Sequence, residues 1–302
     1  MNAIEIRGVT KSFGSVRAVD DLTVTVPAAS TYGFIGPNGS GKTTTLRMIL
    51  NILLPDSGTI AVFGQTGTAA ARDQVGYLPE ERGLYKAVKL RWLLRYFSRL
   101  KGKSGPEQDA YIDGWLTRLD LAAWADKRID SLSKGMAQKA QFIAALAGRP
   151  SLLVLDEPFS GLDPINRDVL KDAVLELKRS GITIVFSTHD MSVAEQMCDR
   201  VFMIFRGRKV LDGSIDEIQA TYGFDTVRVR TDGGAEALAG LSGVESVNDF
   251  GRTQDVRLKG DPQAFLAALA GRTRVQYFEV VRPSLHDIFV RIARPEADDA
   301  VA

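Results

Sequence analysis

The stretch Thr31-Tyr-Gly-Phe-Ile-Gly36-Pro-Asn-Gly-Ser-Gly-Lys42-Thr43-Thr44 decides the fold of this 302-residue chain. Its first five residues form an apolar run that is typical of a buried strand. A glycine-rich turn follows that matches the pattern G-x-x-x-x-G-K-[ST]. Residues 43–54 then have the spacing of a helix, closed by Pro55 and Gly58. A strand, a turn and a helix in this order predict an α/β core.

The glycine-rich turn is predicted to hold a polyphosphate. Glycine lets the backbone curl so that consecutive N–H groups point inward, and the helix N-terminus adds partial positive charge. Lys42 would reach the β- and γ-phosphates, and the hydroxyl of Thr43 would ligate Mg²⁺. We therefore expect a site for a nucleoside triphosphate. Its predicted contacts are Gly36, Pro37, Asn38, Gly39, Ser40, Gly41, Lys42, Thr43 and Thr44.

Two acidic residues, Asp156 and Glu157, follow an apolar run at residues 152–155. In open α/β sheets the carboxyl ends of the strands form the ligand crevice. Asp156 is predicted to hold Mg²⁺ through water. Glu157, one residue further on, is predicted to polarise the attacking water as the catalytic base. An acidic pair at a strand end is otherwise a common turn, and the phosphate loop upstream is what favours the catalytic interpretation.

Further short motifs occur in a fixed order around these two. In order and spacing they resemble the ATP-binding cassette (ABC) family, whose signature is LSGGQ and whose switch histidine ends a strand. The resemblance covers residues 1 to about 220 and implies ATP and Mg²⁺ as cofactors. The motifs are Lys11-Ser-Phe13-Gly14, Tyr77-Leu-Pro-Glu80, Leu132-Ser133-Lys134-Gly135-Met136-Ala137-Gln138, Ser160-Gly161-Leu162-Asp163 and Ser187-Thr188-His189.

The resemblance assigns roles to individual residues. Phe13 would stack on adenine, and His189 would contact the γ-phosphate during catalysis. Ser133 and Gly135 would bind the γ-phosphate held by a second copy of the chain, and a serine N-cap at a helix N-terminus is a suitable anion site. Asp163 would lie at the seam between the copies. One chain has one phosphate loop and one signature, so two chains are expected to pair head to tail in a closed two-fold dimer.

The sequence departs from the family pattern in two motifs. Glu80 stands where the family has the glutamine of its Q-loop, and a carboxylate is also a suitable oxygen ligand for Mg²⁺. Glu80 is therefore predicted as a metal ligand together with Thr43 and Asp156, and it adds negative charge beside the triphosphate. In the signature, Lys134 and Met136 replace a glycine and a glutamine, whereas the phosphate-facing serine and glycine are retained.

The predicted fold is α/β and has two domains. Residues 1–222 resemble a P-loop ABC nucleotide-binding domain, with a RecA-like core, an antiparallel β subdomain and a helical subdomain inserted at about residues 85–150. Residues 223–302 have the element order βαββαβ, which is the ferredoxin-like pattern of a small α+β accessory domain. The last predicted helix starts with a capping box of Ser284 and Asp287.

The chain is predicted to be the ATP-hydrolysing subunit of a transporter, and the resemblance implies an exporter. Residues 77–85 and 283–289 resemble the drug and sodium exporter ATPases that pair with a separate membrane permease. No apolar run approaches the roughly 18 residues of a membrane span. We therefore expect a cytoplasmic protein that is peripheral on the inner face of the cell membrane, with the permease docked near residues 80–85.

A soluble ABC ATPase that acts on ribosomes or DNA is the alternative. Ribosomal members usually carry two cassettes and chromosome-type members carry long coiled coils, and this sequence shows neither pattern. The formal net charge is +1, without the basic excess of an electrostatic nucleic-acid binder. We therefore expect no nucleic acid as a partner.

Overall fold

The chain divides into two units in the computed structural model, which describes residues 1–66, 72–81, 83–222 and 226–293. The first unit ends at Ser214 and the second begins at Ile215. The helix Ile215–Thr221 belongs to the second unit, where it packs against the C-terminal helix. The division thus lies earlier in the chain than the predicted boundary after residue 222. Arg82, in the predicted docking segment, and residues 223–225 lie outside the described residues.

The strands of the described residues form three sheets, two in the first unit and one in the second. They are β1 (Asn2–Phe13), β2 (Val16–Pro27), β3 (Thr31–Ile35), β4 (Ser57–Val62), β5 (Gln65–Thr66), β6 (Val75–Leu78), β7 (Leu152–Asp156), β8 (Thr183–Thr188), β9 (Arg200–Phe205), β10 (Arg208–Ser214), β11 (Thr226–Thr231), β12 (Val244–Asp249), β13 (Gln254–Leu258) and β14 (Val275–Val281).

Several helices begin at side-chain caps that the sequence provides. Ser133, Asp163 and Asp190 each accept a hydrogen bond from a backbone N–H of the first helical turn. Among the described residues the α-helices are α1 (Lys42–Ile49), α2 (Leu90–Leu100), α3 (Pro106–Arg118), α4 (Lys134–Leu146), α5 (Pro164–Arg179), α6 (Met191–Met197), α7 (Ile215–Thr221), α8 (Pro262–Ala270) and α9 (Leu285–Ala293).

A six-stranded sheet in the order β10-β9-β3-β8-β7-β6 forms the centre of the first unit. Neighbours from β9 to β6 are parallel, and β10 is antiparallel to β9. Strands β3, β7 and β8 are buried along their whole length, which explains why their central residues are apolar. Since parallel strands end at the same edge, β3, β8 and β7 bring the segments that follow them close together. In register, Ile35 pairs with Thr188, and Asp156 pairs with Ser187.

The second sheet, in the order β2-β1-β4-β5, is the predicted antiparallel flank. In β2 the buried residues Leu22, Val24 and Val26 alternate with exposed ones, as expected for a sheet with one solvated face. These side chains share an apolar core with Tyr32 and Phe34 of β3. The flank is thereby packed onto the strand that leads into the glycine-rich turn.

Helices α2, α3 and α4 form the predicted helical subdomain. Their apolar faces meet in one core that includes Leu93, Leu116 and Phe142. Ion pairs add to this packing, because Arg91 of α2 pairs with Asp113 of α3, and Arg95 pairs with Asp109 at 2.9 Å. The arginine-rich face of α2 is therefore an interhelical contact.

The second unit has an antiparallel sheet in the order β12-β13-β11-β14. The two inner strands are the first and third of the unit, as the βαββαβ pattern requires. One difference from the prediction is that the first connecting helix is a 3₁₀ segment, Gly234–Leu238. The predicted capping box of α9 is confirmed, since the Ser284 N–H donates to Asp287 Oδ2 at 3.1 Å and the Asp287 N–H donates to Ser284 Oγ at 3.1 Å.

Candidate functional site

The phosphate loop, residues 36–41, connects β3 to α1. Three of its glycines, Gly36, Gly39 and Gly41, have positive φ angles of 151°, 75° and 111°, which residues with a side chain rarely adopt. At Gly41 a Cβ atom would also lie 2.4 Å from the carbonyl oxygen of Ala18. The loop can therefore follow this path only with glycine at that position. It leads directly into the N-terminus of α1, which favours an anion.

Lys42 is the first residue of α1, and its side chain is only 5% exposed. Its ammonium donates to the carbonyl oxygens of Gly36 at 2.8 Å and Pro37 at 3.1 Å. It also lies 3.7 Å from a carboxylate oxygen of Glu157. Burial lowers the pKa of Lys42, and the negative charges of Glu157 and Asp156 oppose that shift. The ammonium thus lies between the phosphate loop and the predicted base.

Asp156 ends β7 and is fully buried. Its Oδ1 accepts hydrogen bonds from Ser187 Oγ at 2.6 Å and Thr43 Oγ1 at 3.1 Å. Its Oδ2 is buried and has no hydrogen-bond partner among the described residues, although buried polar atoms normally have one. A free carboxylate oxygen beside a hydroxyl is a set of hard donors that fits Mg²⁺.

The protein groups alone do not complete a metal cage. In the ranges that the structure describes, no group of three or more His, Cys, Asp or Glu could hold a metal ion. Mg²⁺ commonly binds to one or two carboxylates and takes its other ligands from water and substrate phosphates. Thr43 and Asp156 would therefore hold the ion together with the triphosphate, and the ion would neutralise charge on the phosphate oxygens.

Glu157 has a left-handed backbone conformation, with φ of 47°, which is uncommon for a residue other than glycine. Its N–H donates to Ser187 Oγ at 2.9 Å. Its two carboxylate oxygens lie 3.0 Å and 3.1 Å from Nδ1 of His189. Backbone strain of this kind clusters at functional sites. The carboxylate thus lies between Lys42 and His189, and its role as the catalytic base stays a prediction.

Glu80 follows β6 and is exposed. Its negative charge acts on the Lys42 ammonium and opposes the fall in the pKa of that group. The side-chain amide of Gln141 in α4 donates to the carbonyl oxygens of Pro79 at 3.3 Å and Glu81 at 3.1 Å. The structure therefore brings Glu80 toward the same site as Lys42, and its role as a metal ligand stays a prediction.

Ser133, Gly135 and Asp163 form a separate group. Ser133 is exposed and accepts a backbone N–H of α4 at 3.3 Å. Asp163 accepts from the backbone and side-chain nitrogens of Asn166 at 3.0 Å and 2.6 Å, which lowers the pKa of Asp163. A Cβ atom on Gly135 would lie 2.9 Å from the Asn166 side chain. Among the described residues, none of the three hydrogen-bonds to the phosphate loop or to the Glu157 carboxylate.

Phe13 ends β1 and is 49% exposed, with the Lys11 ammonium 5.7 Å from its ring centre. The hairpin that follows it approaches the phosphate loop, because Ala18 lies next to Gly41. An exposed aromatic ring near the loop has a free face for a planar base. Stacking of Phe13 on adenine stays a prediction.

Three further residues of the site were not predicted from the sequence. Ser187 joins the ends of β7 and β8, because it donates to Asp156 and accepts from the Glu157 N–H. Gln138 and Gln141 are buried on one side of α4, where each amide donates to a backbone carbonyl of a neighbouring segment. The signal in the sequence was a pair of glutamines three residues apart on the apolar face of a helix.

Replacing Glu80 by glutamine should leave most of the hydrolytic activity. An amide oxygen is also a suitable ligand for Mg²⁺, so Glu80→Gln should change the ATPase rate by less than about tenfold. The steady-state ATPase rate measures this, and Glu81→Gln is the matched control because Glu81 is the adjacent exposed acid. An inactive Glu80→Gln protein beside an active Glu81→Gln protein would show that the carboxylate itself is required.

A phosphate loop and a carboxylate pair at one edge of a parallel sheet define a P-loop nucleoside triphosphatase. A family model described as "ABC transporter" matches residues 19–160, and one described as "ATP-binding protein DrrA1-3-like, C-terminal domain" matches residues 213–293. A third, described as an AAA domain of a putative AbiEii toxin, matches residues 127–195.

Whole-length relatives place the chain in a family. The "Uncharacterized ABC transporter ATP-binding protein YhaQ" of Bacillus subtilis is 39% identical over 95% of this chain and 97% of its own length. The "Nod factor export ATP-binding protein I" of Burkholderia lata is 35% identical over 98% of each chain. The chain therefore belongs to the ABC transporter ATP-binding proteins, and it is an ATPase.

Solved structures agree with this assignment. A structure described as the ATP binding subunit of an ABC transporter aligns with a TM-score of 0.69 at 30% identity, over 73% of this chain and 93% of that one. The ADP conformation of MJ1267, an ATP-binding cassette, aligns with a TM-score of 0.64 at 23% identity, over 72% of this chain and 92% of that one. The second comparison concerns the fold alone.

Proposed function

We propose that this chain is the ATP-hydrolysing subunit of an exporter and works as a head-to-tail dimer bound to a separate membrane permease. ATP would bring two copies together, and hydrolysis would release them. The observation that carries the proposal is the exposed, Ser133-capped N-terminus of α4. It is a suitable anion site, and within the described part of the chain it makes no hydrogen bond to the phosphate loop. A second copy would bring its triphosphate to this end, and Asp163 would lie beside it.

Within one subunit, each residue would have a defined task. Lys42 and the N-terminus of α1 would bind the β- and γ-phosphates. Glu157 would orient and polarise the attacking water, and His189 would hold both the Glu157 carboxylate and the γ-phosphate. Asp156 and Thr43 would hold Mg²⁺.

A groove beside residues 79–81, called the Glu80 segment below, supports a permease partner. A cavity of about 330 Å³ is lined by Leu84, Phe97 and Leu100, together with Gln141. A second cavity of about 380 Å³ adjoins it at Tyr77 and is also largely apolar. A contiguous exposed apolar surface of this kind is typical of a protein contact. A permease segment in this groove would touch the element that carries Glu80.

Two further observations bear on the direction of transport and on where the protein acts. The Burkholderia lata relative is named for Nod factor export and matches both units of this chain, which favours export. In the ranges that the structure describes, no helix is long and apolar enough to cross a membrane. We infer that the chain is peripheral on the inner face of the cell membrane and is held there by the permease.

Copurification from detergent-solubilised native membranes tests the permease. Tagged Glu157→Gln protein with ATP should bring down a multi-span membrane protein in stoichiometric amount. Leu100→Glu should reduce that yield, because Leu100 lies in the groove and is 62% exposed. Phe250→Glu is the matched control, because Phe250 is a similarly exposed apolar residue, 67%, of the second unit. Recovery of ribosomes or DNA-bound proteins would instead support the soluble ABC ATPase.

A further inference from the structure

Helix α4 carries two buried glutamines on one face. Gln138 is 2% exposed and Gln141 is 5% exposed, and residues three apart lie side by side on a helix. The helix otherwise buries apolar side chains such as Phe142 and Ile143. A buried polar side chain in such a face is costly unless it makes hydrogen bonds. The bonds that these two glutamines make therefore indicate why they are there.

Gln141 holds the backbone on both sides of Glu80. Its Nε2 donates to the carbonyl oxygens of Pro79 and Glu81, at 3.3 Å and 3.1 Å. The NH₂ group of a glutamine has two N–H donors, so this one side chain can donate to both carbonyl oxygens. The Oε1 atom is buried and has no hydrogen-bond partner among the described residues, so an apolar side chain would suit packing better. The two hydrogen bonds to the backbone around Glu80 therefore explain why a glutamine, and not an apolar residue, stands at this position.

Gln138 makes the corresponding bond to the other carboxylate segment. Its Nε2 donates to the carbonyl oxygen of Pro158 at 3.2 Å, and Pro158 directly follows Glu157. The N-terminus of the same helix carries the exposed Ser133. A rigid helix therefore connects the predicted contact for the partner's nucleotide with two segments of its own active site.

We propose that Gln141 is a positioning residue for Glu80 and that it makes α4 the link between the Ser133 end and the metal side of the same subunit. The inference rests on the proposed function, in which Ser133 meets the partner's triphosphate and Glu80 helps to hold Mg²⁺. Closure of the dimer at Ser133 would shift or immobilise α4. Through its two hydrogen bonds, Gln141 would then shift or immobilise the backbone on both sides of Glu80. The site would then be complete only in the closed dimer.

Steady-state kinetics of Gln141→Met tests the link. Methionine has a similar length and cannot donate to Pro79 and Glu81, so kcat should fall about tenfold, which corresponds to the loss of one to two buried hydrogen bonds. The KM for ATP should stay within about twofold, because the phosphate loop is not changed. Gln141→Leu also removes the donor, and it should show the same fall in kcat with little change in KM.

Gln108→Met is the matched control. Gln108 is also a buried glutamine, 4% exposed, and its amide donates to the carbonyl oxygen of Ala147 at 2.9 Å. It touches neither Glu80 nor Glu157 in the described contacts. Its replacement should lower the melting temperature to a similar extent and leave kcat near the wild-type value.

Hydrogen exchange provides a readout that does not depend on turnover. In Glu157→Gln protein, ATP should slow exchange of the backbone amides at residues 77–81. In the double variant with Gln141→Met, the dimer should still form with ATP, but this slowing should be lost. Coupling of two sites requires such a direct measurement.

The outcomes separate the inference from the function on which it rests. If Gln141→Met and Gln141→Leu matched Gln108→Met in kinetics and exchange, Gln141 would be a packing residue and the inference would be overturned. If Glu157→Gln protein stayed monomeric with bound ATP, the proposed dimer itself would be wrong.

Discussion

Replacement of Glu157 by glutamine is expected to reduce ATP hydrolysis by roughly a hundredfold to ten-thousandfold, which is the usual contribution of a positioned general base. Glutamine keeps the size of the side chain but cannot accept a proton from water. ATP binding should persist, because the phosphate loop and Lys42 are unchanged. The measurements are phosphate release and equilibrium binding of ATP to the same preparation.

Glu176→Gln is the control for this variant. Glu176 is an exposed glutamate that pairs with Arg118 at 2.7 Å on the surface of the first unit, and its replacement should leave hydrolysis unchanged. Hydrolysis at the wild-type rate by Glu157→Gln protein would mean that another group activates the water. His189, whose Nδ1 contacts the same carboxylate at 3.0 Å, would then be the first group to replace.

Replacement of Lys42 by alanine should weaken ATP binding by roughly tenfold to a hundredfold. Hydrogen bonds to charged groups contribute about 1.5–3 kcal/mol, and each 1.4 kcal/mol is a factor of ten. The loss also leaves the buried carboxylates of Asp156 and Glu157 without their nearby ammonium. Lys42→Ala should therefore also lower the melting temperature.

Calorimetric titration with ATP and thermal unfolding separate these two effects. Lys171→Ala is the matched control, because Lys171 is a lysine at the surface that donates to Gln196 at 3.0 Å. It should keep wild-type affinity and stability. Unchanged ATP affinity in folded Lys42→Ala protein would contradict the assignment of the phosphate loop.

The central part of the fold could be predicted because its signals are local. The strand Thr31–Ile35 has the predicted bounds, since a continuous apolar run points to one structure. The phosphate loop is equally local, because three glycines with positive φ occur in six residues. Such segments need little information from the rest of the chain.

Other elements depend on contacts that are distant in sequence. Strands β4 and β6 were not predicted; β4 pairs with β1, and β6 pairs with β7, so partners more than forty residues away decide their structure. The arginines of α2 have the spacing of a solvated face, yet Arg91 and Arg95 pair with aspartates of α3. The sequence alone did not show which helix would lie opposite.

The residues of the site also divide into those with a local signal in the sequence and those that depend on distant contacts. Chain order was sufficient to select Lys42, Asp156 and Glu157, because each follows or begins an element that is recognisable by itself. The role of Ser187 required the register of β7 against β8, in which it lies opposite Asp156. Gln141 required the packing of α4 against the Glu80 segment, which no local pattern specifies.

Light scattering gives the mass of Glu157→Gln protein in solution with and without ATP and Mg²⁺, and thereby shows whether two copies pair when ATP is bound. We expect a monomer without nucleotide and a doubled mass with saturating ATP and Mg²⁺. We also expect that Ser133→Arg, placed at the exposed end of α4, prevents the doubling while ATP still binds. A protein that binds ATP and stays monomeric under the same conditions would mean that the proposed head-to-tail dimer is wrong.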